Sequence, residues 1–222
     1  MARTAKRRPG PPHAIELPEL ARSEGVSLES REEYEALHVS DLDLAGADLS
    51  GSSFLGCWFE RCRMDDMLLA RGRISECLLT EIGATGVDAS DSTWRDIILD
   101  GARIGALTAV RAVWSSVRVR GSKLDFLALA GGRVDDVAFE DCVIDELDLG
   151  GARLRNVTLS GCRIGVLDVE GAQLMDVDLT GTTLHTIRGI SGLRGATISP
   201  AQLTELGPLL ANHLGIRVGD GA

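Results

Sequence analysis

Counting from Leu44 in steps of five, the chain reads Leu44, Leu49, Phe54, Phe59, Met64, Leu69, Ile74 and Leu79, and the series continues to Leu184 and Gly189. Of these 30 positions, 26 are Leu, Ile, Val, Met, Phe or Trp, where random placement of the same residues would fill about nine. A period of five belongs neither to the helix, at 3.6 residues, nor to the strand, at two. It is satisfied when each unit is a short extended piece followed by a corner. Four such units close one coil of about 20 residues, and coils stack through backbone hydrogen bonds at the usual strand spacing of ~4.8 Å.

Extended residues alternate sides, so the residue two before each centre also points inward. From Ser92 these positions read Ser92, Ile97, Ala102, Leu107, Ala112, Val117, Ser122 and Leu127, and small keeps alternating with large as far as Thr182 and Ile187. One opposite pair of sides therefore carries small inward residues and the other pair large ones, which predicts a flattened cross-section filled without voids. The weakest stretch is "TEIGATGVDASDST", with Ala84 and Ala89 at centres. It reads as a plain coil first, and as a bulge whose length is a multiple of five second.

The segments "GADLSG", "GARLRNVTLSGCRI" and "LRGATISPAQL" resemble the pentapeptide-repeat family over roughly Asp41 to Ile198. The resemblance implies an all-β solenoid, a right-handed quadrilateral parallel β-helix. Counting steps of five gives about 7–8 coils, ~36 Å in length. The expected organisation is a disordered basic tail at 1–13, a short N-terminal cap at 14–40, the β-helix at 41–198, and a C-terminal α-helix and tail at 199–222. In "SREEYEAL", Ser30 and Glu33 form a capping box, which predicts a short helix near 31–37. Ser199 and Pro200 read as N-cap and first residue of the C-terminal helix. Leu203, Leu206, Leu210 and Leu214 then form one stripe, Pro208 kinks it, and Gly215 stops it. That helix either plugs the last coil or pairs with a second copy, giving a homodimer.

The tail "MARTAKRRPGPPH" clusters Arg3, Lys6, Arg7 and Arg8 and has no apolar core of a secretory signal. A solvated tail is the first reading and a phosphate-binding arm the second. The chain as a whole carries a net charge of −10, which disfavours direct contact with nucleic acid. No apolar run is long enough for a membrane span. Cys57, Cys62, Cys77, Cys142 and Cys162 all fall at inward small positions, where a thiol behaves as a small hydrophobe. An odd number of cysteines without a signal sequence fits a reducing cytoplasm. His13, His38, His185 and His213 fall in separate regions. No catalytic residue, metal site or cofactor is assigned, and an enzyme is not expected.

Two outward features stand out. Trp58, Leu78 and Ile98 are 20 residues apart and stack on one side, where they want a cover. Residues 14–39 supply Ile15, Leu17, Leu20 and Val26 for that purpose, and a partner or second copy is the alternative. Another side gathers Asp48, Asp88, Asp148, Asp168 and Glu170. The quinolone-resistance members of the family imitate duplex DNA and bind type II topoisomerase. The resemblance therefore implies DNA gyrase as one partner, with this acidic face as the contact. Duplex DNA of the rod's length carries about 21 phosphates, far more charge than these carboxylates supply. An interaction scaffold for some other protein partner needs no such match and ranks first.

Overall fold

The computed structural model describes residue 20 and residues 27–217. It shows a parallel β-solenoid of about 8 turns followed by one C-terminal helix. The basic tail and the first part of the expected cap, including Ile15, Leu17 and Val26, lie outside the described residues.

Each coil has four sides, taken here in chain order, and almost every rung pairs with the residue 20 positions on. The outward ladder of the first side is Glu33, Ser53, Arg73, Thr93, Val113, Arg133, Arg153 and Gln173. The second is His38, Trp58, Leu78, Ile98, Arg118, Ala138, Thr158 and Asp178. The third begins Asp43, Arg63, Gly83, Arg103, Lys123. The fourth is Asp48, Leu68, Asp88, Thr108, Ala128, Asp148, Asp168 and Arg188.

Stacking begins earlier than the sequence suggests. The expected helix near 31–37 does not form, because Glu33–Glu35 and His38–Ser40 are strands paired with the next coil. Tyr34 and Val39 lie on the period of five, and the ring of Tyr34 stacks on that of Phe54 at 5.1 Å. Burial on the coil outweighs a local capping preference worth about 1 kcal/mol. The stretch after Thr80 is regular coil, since Gly83–Asp88 pairs in register with 103–108. Its volume is kept by exchange: Ile82, only 2% exposed, takes the usually small inward place beside the small centre Ala84.

Two of the corner rows contrast in design. Between the fourth and first sides, Ser52, Gly72, Ser92 and Ala112 donate their N–H to the carbonyls of Leu49, Leu69, Ala89 and Ala109 at 3.0–3.3 Å. The residue before each donor is left-handed, as Gly51 at φ 75 and Arg71 at φ 59 show, which is the geometry of a type II turn. Between the third and fourth sides, Gly46 and Asp66 are left-handed, but 106, 126, 146 and 166 are not, and strands such as Arg103–Thr108 run through the corner. Ala106, Phe126, Glu146 and Val166 are tolerated there because no positive φ is demanded.

The last coil is pinched. Val177 pairs with Ala196, an offset of 19 rather than 20, after a left-handed Gly189 and a 3-10 turn at Ile190–Leu193. Gly189 therefore ends the five-residue series as a corner rather than a packed centre. A Cβ on Gly192 would lie 1.8 Å from the Val169 carbonyl oxygen, so the chain crosses the coil end closer than a side chain permits.

Candidate interaction faces

The second side carries the apolar stripe, and it starts one rung earlier than Trp58. His38, 8% exposed, stacks on the indole of Trp58 at 4.2 Å with the rings 4° from parallel. His38 Nε2 lies 3.2 Å from Glu60 Oε2, and the Trp58 indole N–H donates to Thr80 Oγ1 at 2.8 Å. Leu78 and Ile98 continue the ladder half-buried, and Arg118 ends its apolar part.

The acidic candidates of the fourth side, Glu170 apart, share one ladder, interrupted by Leu68, Thr108 and Ala128 and closed by Arg188. Four of them have a structural task. Asp48, Asp88, Asp148 and Asp168 each accept, through Oδ1, the backbone N–H two residues on, at 2.8–3.0 Å. These are Asx turns that close the corner into the first side. Bonding to Ser50, side chain and backbone, holds the Asp48 carboxyl below its ordinary range. Glu170 is exposed at the corner itself, and Arg188 reaches Glu146 at 2.8 Å.

The first side holds what sequence reading missed. Arg111, Arg133, Arg153 and Arg155 line an open groove of about 690 Å³, with Asp135 the one carboxylate in its lining. Asp135 accepts Nε–H bonds from Arg133 at 2.7 Å and Arg155 at 3.1 Å. Burial pushes its carboxyl up, but the two arginines outweigh that and hold it below the ordinary value. Arg111 forms a two-pronged pair with Asp91, at 2.8 and 2.7 Å. Arg153 has no partner among the described residues. Arg133 and Arg153 are one coil of 20 residues apart and Arg111 lies 22 residues before Arg133, so no local window of sequence brings the groove together.

At the far end, the helix Pro200–His213 starts on a full capping box between Ser199 and Gln202. Gln202 is buried, and its Nε2 donates to the carbonyls of Leu179 at 2.8 Å and Thr182 at 2.6 Å. The expected leucine stripe is divided by this docking. Leu206 packs against the core and Leu210 is half-buried, whereas Leu203 is 53% and Leu214 69% exposed.

All five cysteines are free and buried. Cys62, Cys77 and Cys142 donate to carbonyls of the preceding coil, those of Val39, Phe54 and Val119, at 3.5–3.6 Å. Burial pushes the Cys62 thiol up, and Cys77 and Cys142 are pushed up by their coil neighbours Cys57 and Cys162 and by burial. Among the described residues, no group of three His, Cys, Asp or Glu is placed to hold a metal, and no helix is long and apolar enough to cross a membrane.

The family model for pentapeptide repeats matches the chain in 8 copies, over residues 38–66. No curated protein matches it. Among solved structures, a trypsin-treated QnrB1, a plasmid-mediated fluoroquinolone resistance protein, is 17% identical, with 88% of this chain and 96% of that chain covered and a TM-score of 0.49. HetL, a pentapeptide repeat protein involved in heterocyst differentiation regulation in the cyanobacterium Nostoc, is 16% identical over 76% of this chain and 90% of that one, with a TM-score of 0.23. The repeat match and the coils of 20 residues agree, and the chain belongs to the pentapeptide-repeat family.

Proposed function

We propose that the chain is a non-enzymatic, cytoplasmic scaffold that holds a protein partner against the outer sides of its β-helix. One observation carries this reading: the outward side chains stand in registered ladders over a continuous apolar core. Such ladders present rigid surfaces one strand spacing, ~4.8 Å, per rung, so little ordering entropy is lost on binding. The exposed Leu203, Leu214 and Ile216 offer a second copy an apolar contact at the helix end, by which the scaffold pairs into a homodimer.

A DNA-mimic role on DNA gyrase ranks below this. Four carboxylates of the acidic side are engaged in turns, and the adjacent first side is lined with arginine. The test of the scaffold is cross-linking in the native cytoplasm followed by mass spectrometry of the linked sites. A protein linked reproducibly to outward ladder residues supports it, and linkage to no protein above background defeats it. Light scattering of L203E/L214E tests the homodimer, because Gln202 and Leu206 still dock the helix. The mass should halve, and a native protein that is already monomeric rules the dimer out.

A further inference from the structure

The arginine groove of the first side is unexpected on a chain of net charge −10. It is made by coil register. Arg133 and Arg153 are successive rungs of one ladder, and Arg155 stands two residues past Arg153. Two guanidinium groups one strand spacing apart repel each other, a cost that the fold keeps with only Asp135 between Arg133 and Arg155. At the corner beside them stand Gly131 and Gly151, both left-handed at φ 64, so no side chain fills the space in front of the arginines. Asp135 engages each guanidinium through Nε, which leaves the outer N–H groups pointing to solvent. Such groups accept planar carboxylates two-pronged.

The groove is also apolar at its ends. Val113 is 39% and Met175 59% exposed, and both line it. Four rungs span only ~14 Å, and the corner on the far edge of this side carries Asp136 and Asp176. A long polyanion would run past the arginines onto these carboxylates, within the reach of about 8 Å over which charges act at physiological salt. A short segment with few carboxylates stays on the patch. We infer that the groove lined by Arg111, Arg133, Arg153 and Arg155 docks an acidic segment of a partner protein, with an apolar side chain of that segment seated against Val113 or Met175. This rests on the scaffold reading and specifies the partner's chemistry.

The test uses the full chain and a fluorescein-labelled Glu-rich peptide bearing one Leu, followed by anisotropy at several salt concentrations. R133E/R153E should weaken binding by about a hundredfold, since each charged hydrogen bond removed is worth about tenfold. R153Q, which breaks no internal pair, should weaken it several-fold. V113S/M175S should weaken binding while leaving its salt dependence unchanged. Circular dichroism and melting of each variant separate lost binding from lost fold. Absence of peptide binding, binding indifferent to both arginine variants, or tighter binding of inorganic polyphosphate or duplex DNA than of peptide overturns the inference. The scaffold reading has a separate fate. A cross-linked partner retained undiminished by R133E/R153E defeats only the groove, whereas no partner on either protein defeats the scaffold.

Discussion

Gln202 stands 20 residues after Thr182 and donates its side-chain amide to the Thr182 carbonyl at 2.6 Å, as the next coil's backbone would have done. It also reaches the Leu179 oxygen, 23 residues back, the same separation at which Thr182 Oγ1 bonds the Leu159 oxygen. A helix has replaced the coil, but one residue still sits in the repeat. A solenoid end left open exposes a row of unpaired backbone groups, and Gln202 closes part of it.

Gln202→Ala should therefore loosen the end before the middle. Two carbonyls lose a buried donor, at about 1–3 kcal/mol. Hydrogen exchange should quicken in 196–213 with coils at 93–140 unchanged. Uniformly faster exchange along the whole rod would show that the helix stabilises the fold globally instead.

Ala112→Ser should stabilise the protein. Trp94 and Trp114 stack at 5.1 Å in the core. Trp94 donates its indole N–H to Ser92 Oγ at 2.9 Å, but Trp114 has Ala112 in the equivalent place and no acceptor among the described residues. A serine there supplies one. The expected gain is about 1 kcal/mol, or ~2–4 °C in melting temperature for a chain of this size. An unchanged or lower melting temperature contradicts the assignment.

The acidic side gives a paired prediction. Reversing Asp148, Asp168 and Glu170 to Lys looks harmless from their outward placement alone, but two of these side chains close turns. The Lys variant should lose about 1 kcal/mol per turn bond, whereas D148N/D168N/E170Q keeps the acceptors and should melt near the native temperature. If the native chain inhibits DNA supercoiling by gyrase at low micromolar concentration and the Asn/Gln variant does not, mimicry displaces the scaffold reading.

Asp135 gives the groove a pH dependence. Its folded pKa lies below the reference 3.8, so its contribution to stability is full above that value and fades as pH falls through the lower folded one. D135N should remove this acid-sensitive part, under about 1 kcal/mol for so exposed a set of arginines. Identical acid melting curves for native and D135N protein would count against the pairing.

The coils were legible in the sequence because every inward position must be apolar or small, and Leu44 through Leu184 announce that spacing. The first coil was hidden by competing local chemistry: Ser30 and Glu33 spell a helix start, although Tyr34 and Val39 continue the series. The turn-closing role of Asp48 and Asp148 was implicit in aspartate's habit of bonding the N–H two residues on. The arginine groove was not visible as composition, because Arg133 and Arg153 are near only when folded, and the acidic total masks them. The division of the helix leucines depends on how the helix lies against the last coil, which spacing alone does not specify.

The offset of 20 has a consequence for how such a rod changes over generations. Each face is written in its own residue class, so a substitution at 133 alters one surface without a neighbour in the text being involved. Selection thus edits four surfaces almost independently while the interior stays constant. Loss or duplication of one 20-residue unit moves every face together by a single rung and preserves their alignment. Loss of five residues instead rotates everything downstream by one side, turning an arginine row into the continuation of the acidic one. New binding surfaces can therefore arise by small frame changes of the repeat, with no new core to evolve.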